Sequence, residues 1–193
     1  MTGFVPSITA APQYYADLGI DTLPLPPGSK QAGVRAWQNR SPLELWQSAP
    51  KDSNIAIRCG GHANLAVIDC DDKEIRGTYK NVSRYLAGLG LSEGNYPTVR
   101  TASGNGKHIY LKLKETPQGN YKHLSGNFGA GEFRYGSGAY VLAPPSIVNQ
   151  QYELLHGDFS SLPVINVKDL LPIIKGNILG NKIDKENKKI PWL

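Results

Sequence analysis

Leu65-Ala-Val-Ile-Asp-Cys-Asp71 is an apolar run that ends in two carboxylates two residues apart. Its length and composition are those of an apolar strand. Side chains alternate along a strand, so Asp69 and Asp71 face the same side and share it with Val67. Two like charges held side by side at a strand end repel unless water or a cation screens them, which makes the pair a natural cradle for a divalent metal. Ligands that are all oxygen favour Mg²⁺ or Mn²⁺ over zinc. The competing reading is a plain polar cap where the strand gives way to a helix at Lys73.

Working outward, Ile55 to Arg58 forms a second strand, and Gly60-Gly61 suggests that it joins Leu65–Cys70 as a hairpin. Further upstream a helix is expected over about residues 8–18, closed by Gly19, with Ile20 to Leu25 extended behind it. The prolines and glycine of Pro24-Leu-Pro-Pro-Gly-Ser-Lys30 force a turn. Ser41-Pro42 supplies an N-cap and a first-turn proline for a short helix that Pro50 stops. Downstream, Ile75, Tyr79, Val82, Leu86 and Leu89 form one apolar stripe, predicting a helix from about Lys73 to Leu89 that Gly90 closes. Short strands follow near residues 98–101, 107–113, 131–135, 138–143 and 152–155, then a helix near 166–175. The class is α+β with mainly antiparallel strands. We expect one catalytic domain over residues 1–175 and a basic, polar tail or start of a linker over 176–193.

A third acid lies in Gly131-Glu-Phe-Arg-Tyr135, where alternation puts Glu132 and Arg134 on one face and Phe133 and Tyr135 on the other. A carboxylate from a second strand can complete a site in which metals clamp the attacking and leaving oxygens of phosphoryl transfer. The bland alternative is a surface salt bridge between Glu132 and a neighbouring base. Thr101-Ala-Ser-Gly-Asn-Gly-Lys-His108 is a tight loop leading into Ile109-Tyr-Leu-Lys-Leu113. Ser103, Gly104, Lys107 and His108 are candidates to hold phosphate oxygens, through side chains or through backbone N–H groups that small residues leave accessible. The loop is not a Walker A sequence. In the strand that follows, Ile109, Leu111 and Leu113 are expected on the buried face and His108, Tyr110 and Lys112 on the other. His62, His123 and His156 show no metal-ligand spacing and read as surface or structural.

The bulk numbers narrow the partners. At 193 residues, 40% hydrophobic and 19% charged, the chain suits one globular domain and not a disordered or fibrous one. It has no apolar run near the roughly 20 residues of a membrane span, and nothing like a signal peptide at Met1 to Ala11, so a cytoplasmic location with no membrane partner is expected. Two cysteines, Cys59 and Cys70, are too few and too far apart for a zinc module or disulfide framework. A net charge of +5 favours a polyanionic partner.

In order and spacing these pieces resemble the primase/polymerase (prim-pol) branch of the archaeo-eukaryotic primase superfamily. The likeness covers about residues 10–155. It rests on Leu23-Pro-Leu-Pro-Pro-Gly-Ser-Lys30 followed by Trp37, on Asn54-Ile-Ala-Ile-Arg-Cys-Gly60, and on Val67-Ile-Asp-Cys-Asp71. It continues in Pro97-Thr-Val-Arg-Thr-Ala-Ser-Gly104 with Lys107-His108, and in Gly131-Glu-Phe-Arg running into Gly138-Ala-Tyr-Val-Leu-Ala-Pro-Pro-Ser146. The resemblance implies that Asp69, Asp71 and Glu132 bind two catalytic Mg²⁺ or Mn²⁺ ions, and that His108 with Ser103 contacts the phosphates of an incoming nucleotide. Glu132 departs mildly from the aspartate common among relatives. Some relatives also carry a cysteine-rich zinc module, for which this chain has no residues.

Arg134, Arg58, Lys107 and Lys30 are further candidates for phosphate contacts, Lys30 also for DNA. The implied fold packs an RRM-like antiparallel sheet, with flanking helices, on a smaller N-terminal α/β unit. The implied activity is template-directed nucleotidyl transfer from nucleoside triphosphates onto a DNA template or primer, with a fused or associated helicase among the partners. A metal-dependent nuclease and a non-catalytic origin or single-strand DNA binding module are the alternatives. A serine hydrolase on Ser103 and His108 is remote, since Ser103 is not in a GxSxG elbow.

Overall fold

The computed structural model describes residues 4–179. Four helices are formed among them, α1 (Ala11–Asp17), α2 (Pro42–Gln47), α3 (Thr78–Gly88) and α4 (Val167–Leu170). The strands are β1 (Thr22–Leu25), β2 (Asn54–Arg58), β3 (Leu65–Asp71), β4 (Thr98–Arg100), β5 (Gly106–Leu113), β6 (Tyr121–His123), β7 (Gly131–Arg134), β8 (Tyr140–Leu142), β9 (Glu153–His156) and β10 (Val164–Ile165). The fold is α+β, as expected. Of the expected tail, residues 180–193 lie outside the described residues.

The strands make two sheets. A small one runs β1-β2-β8, and a large one runs β6-β7-β3-β5-β4-β9, with every neighbour antiparallel. β10 adds a parallel pairing to β5 at Lys112 and Leu113, beyond the end of β4. The small sheet, α1 and α2 pack on one face of the large sheet, where Leu23, Ile55, Ile57 and Tyr15 meet Val67, Val99 and Tyr110. On the other face α3 and α4 bring Val82, Leu86 and Leu170 onto Ile68, Ile109, Leu111 and Phe133. β3 and β5 are therefore covered on both sides, which is why Leu65–Ile68 and Ile109–Leu111 run apolar without alternation.

Three expectations are corrected here. β2 and β3 do not form a hairpin. They belong to different sheets, and the chain switches between them at Gly60 and Gly61, whose φ angles of 67° and 64° suit glycine. A single bridge, Gly60 to Leu65, is all that links the two segments. The helix expected from Lys73 begins only at Thr78. The Asp71 carboxylate accepts from the Lys73 N–H at 3.1 Å, its carbonyl accepts from Glu74 and Ile75, and Gly77 has a φ of 88°, so residues 72–77 are held as turns. Ile75 and Leu89 consequently fall outside the helix and are exposed. Finally, His108 and Tyr110 are as buried as the opposite face of β5, because Tyr152 packs on the first and the small sheet and Phe159 on the second.

Elsewhere local signals act as read. Ser41 and Glu44 form a complete capping box for α2. Gly90 closes α3, with Leu91 N–H reaching back to the Leu86 carbonyl. The helix near 166–175 shrinks to α4 and one 3₁₀ turn at Leu171–Ile173.

Candidate active site

Asp69 and Asp71 leave the end of β3 on the face that the small sheet covers, but past the point where the apolar packing stops. There the two sheets diverge around a cavity of about 400 Å³. Both aspartates line it from the large sheet, with Gly106 and His108 of β5 and Arg134 of β7. Tyr140 to Leu142 of β8 form the facing wall, and Lys30 and Lys73 stand at its margin.

The register of the sheet explains how distant sequence segments meet. Asp69 lies between His108 on β5 and Glu132 on β7, its direct partners on either side. That pairing requires β7 to pass close to β3 at Gly131, where a Cβ would sit 1.9 Å from the Asp69 carbonyl oxygen. Only glycine can occupy this position, and its φ of 134° points the same way. Phe133 and Tyr135 turn into the second core, leaving Glu132 and Arg134 on the cavity side.

The charges around Asp69 are coupled. Arg134 binds the Glu132 carboxylate at 2.6 Å through Nη2 and holds its Nε 3.9 Å from Asp69 Oδ2. His108 Nε2 stands 3.5 Å from Asp69 Oδ1, and its Nδ1 lies 3.4 Å from the Tyr110 hydroxyl. Burial holds the His108 pKa below its ordinary value, and the nearby positive charges of Arg134 and Lys30 add to this against the pull of Asp69. Tyr152 packs beside the imidazole, its hydroxyl pushed up to about 12 by burial and by the charge of Asp69.

At the mouth, residues 101–106 form the expected tight turn. The Thr101 N–H donates to the Gly106 carbonyl and the Gly104 N–H to the Thr101 carbonyl, while the Ser103 and Thr101 hydroxyls are 3.0 Å apart. Ser103 and Gly104 are exposed on this turn, Ser103 on the cavity wall.

A scan of family models matches residues 11–168 to the N-terminal domain of bifunctional DNA primase/polymerases. The chain belongs to the Prim-Pol family. No curated protein matches it. Among the described residues no helix is long and apolar enough to cross a membrane.

In this Prim-Pol domain Lys30, Asp69, Asp71, Ser103, His108 and Arg134 line the cavity, Glu132 and Gly104 adjoin lining residues, and Lys107 and Arg58 lie elsewhere. Lys107 falls on the opposite face of β5 from His108, where its ammonium lies over the Tyr79 ring and 3.9 Å from Asp72. Arg58 donates to the carbonyls of Gln38 and Arg40 and stacks on Trp37, away from the cavity. Neither Lys107 nor Arg58 lines the cavity. Conversely, Lys73, Tyr140 and Tyr152 line the cavity without having stood out in sequence, and His123 comes within 3.9 Å of Glu132 from the neighbouring strand. Tyr140 sits in the Gly138-Ala-Tyr run, the one sequence signal that pointed near it.

Among the described residues no three His, Cys, Asp or Glu side chains converge as a metal-binding group. Asp69 and Asp71 alone present accessible carboxylate oxygens to the cavity, a donor set that fits a hard divalent cation. Glu132 is adjacent but held by Arg134, so it fits such a site only when that ion pair opens.

Proposed function

We propose that this Prim-Pol domain is a template-directed nucleotidyl transferase that extends a DNA strand from nucleoside triphosphates. The observation that carries this reading is a single cavity in which Asp69 and Asp71 face Ser103, His108 and Lys30, with Glu132 paired to Asp69 across the sheet. Carboxylates on one side and phosphate-binding groups on the other are the complementary halves of a triphosphate site. A nuclease has no triphosphate to hold, so the second half weighs against that alternative.

In this reading Asp69 and Asp71, joined by Glu132, would hold two Mg²⁺ or Mn²⁺ ions. Such ions supply Lewis-acid activation and charge neutralisation. Ser103, the 101–106 turn and His108 contact the triphosphate, while Lys30 and Lys73 balance its charge. A primer 3′ hydroxyl then attacks the α-phosphorus in line, and pyrophosphate leaves. Arg134, now paired with acids, is positioned to exchange them for phosphate as substrate arrives.

The strand order β7-β3-β5-β4, with α3 crossing over from β3 to β4, supports the RRM-like arrangement for the large sheet. Between β5 and β7 the matching crossover contains β6 and no helix. The small sheet with α1 and α2 supports the reading of a smaller packed unit.

The test incubates the protein with labelled nucleotides, Mg²⁺ or Mn²⁺, and a primed or unprimed DNA template. Elongated product is expected on the primed template. Binding of DNA without incorporation would leave a non-catalytic module, and shortened template would indicate a nuclease.

A further inference from the structure

Lys30 reaches the cavity from a stretch with no regular structure. Residues 26–36, between β1 and the 3₁₀ turn at Trp37–Asn39, form neither helix nor strand. Hydrogen bonds within it are local, such as Gln31 N–H to the Ser29 hydroxyl at 3.0 Å and Ser29 N–H to the Pro26 carbonyl. Apart from the Ala36 carbonyl, which accepts from Asn39 N–H in the adjoining 3₁₀ turn, its hydrogen bonds to the rest of the protein, among the described residues, converge on one atom, the Tyr140 hydroxyl. That oxygen accepts from the Ala32 N–H at 3.0 Å and donates to the Lys30 carbonyl at 3.1 Å.

Tyr140 is itself firmly held. It lies in β8, its ring packs edge-on against Trp37 at 5.3 Å, and Trp37 is covered in turn by Arg58. Its carbonyl accepts from Arg134 Nη1 at 3.4 Å. One residue thus touches both the arm that carries Lys30 and the arginine that binds the acids. A lysine side chain is flexible, so the place its ammonium samples depends on where its backbone is fixed.

We infer that Tyr140 is a positioning residue, a clasp whose hydroxyl fixes the 26–36 arm so that Lys30 meets the triphosphate of a bound nucleotide. The inference rests on the proposed function for its ligand, but the clasp itself does not. Lys30 belongs to the triphosphate and not to a distant stretch of DNA, because it borders the same cavity as Ser103 and His108.

Tyr140→Phe removes the hydroxyl and leaves the ring on Trp37, so two measurements separate the parts. Limited trypsin digestion of the native protein reads the arm directly. Cleavage after Lys30 should be roughly five- to a hundredfold faster in the variant, the equivalent of the two lost hydrogen bonds, with cleavage after exposed Lys51 unchanged as the control. Titration with a labelled nucleoside triphosphate reads the consequence. Tyr140→Phe should weaken affinity by roughly three- to tenfold, and adding it to Lys30→Ala should produce no further loss, since the clasp acts through that lysine.

Unchanged cleavage after Lys30 would overturn the clasp. Faster cleavage with wild-type affinity, or losses from the two substitutions that multiply, would overturn the positioning role. A wild-type protein that binds no triphosphate would overturn the reading of the site and the role of Lys30 with it, while the cleavage rates would still decide the clasp.

Discussion

Replacing His108 with alanine separates two roles that the structure superimposes on one side chain. The residue is only 4% exposed, packed between Tyr110 and Tyr152 and next to Asp69. Truncation opens a void the size of an imidazole at the wall of an existing cavity, so water can enter and the cost lies near the low end for core truncations, about 2 kcal/mol. The Tyr110 hydroxyl keeps the Leu142 carbonyl at 3.4 Å, so no buried group is left without a partner. For a domain of this size that predicts a fall in Tm of about 4 to 8 °C. A hydrogen bond from the imidazole to a charged phosphate is worth a further 1.5 to 3 kcal/mol or so, which predicts a loss of nucleotide affinity of roughly ten- to a hundredfold. Titrating labelled triphosphate and labelled template separately against the folded variant distinguishes these effects. Template binding should stay near wild type. A lowered Tm with unchanged nucleotide affinity, or with both ligands weakened together, would refute the assignment of His108 to the triphosphate.

Other substitutions probe neighbouring parts of the same arrangement. Glu132→Gln should abolish most nucleotide incorporation while shifting Tm little, since its ion pair with Arg134 is partly exposed, whereas Glu132→Asp should retain measurable activity; incorporation assays beside thermal melts check this. Gly131→Ala should lower Tm by more than about 5 °C, because its Cβ would overlap the Asp69 carbonyl in a backbone conformation unsuited to alanine. Cys59 and Cys70 are buried, and burial pushes both thiols up, Cys59 to about 12. Neither should react with iodoacetamide at pH 8 in the folded protein, and both should react once it is unfolded, as counted by mass.

What the sequence revealed was local. The Asp69 and Asp71 shared face, the Ser41 cap and the turn of residues 101–106 all follow from alternation or from a few adjacent residues. What it hid was set by partners far along the chain. The chain switches sheets at Gly60 and Gly61, and nothing nearby distinguishes that from a hairpin. His108 looks polar-facing until Tyr152 is placed against it. Lys107 is adjacent to His108 in sequence, and strand geometry for that very reason sends it to the other face. The pairing of Asp69 with Glu132 depends on the close approach at Gly131, a contact between segments some sixty residues apart. Lys30 enters the site only because Tyr140, more than a hundred residues later, holds its arm.

The central claim is that Asp69 and Asp71 are the groups on which nucleotide transfer depends. The most direct measurement is extension of a primed DNA template, in Mg²⁺ or Mn²⁺, by a variant carrying both Asp69→Asn and Asp71→Asn, with its fold verified by circular dichroism and melting. Each substitution keeps the side-chain shape and removes one negative charge from the cavity. Wild-type protein should elongate the primer, and the folded variant should not. Elongation by the folded variant at a rate near wild type would contradict it.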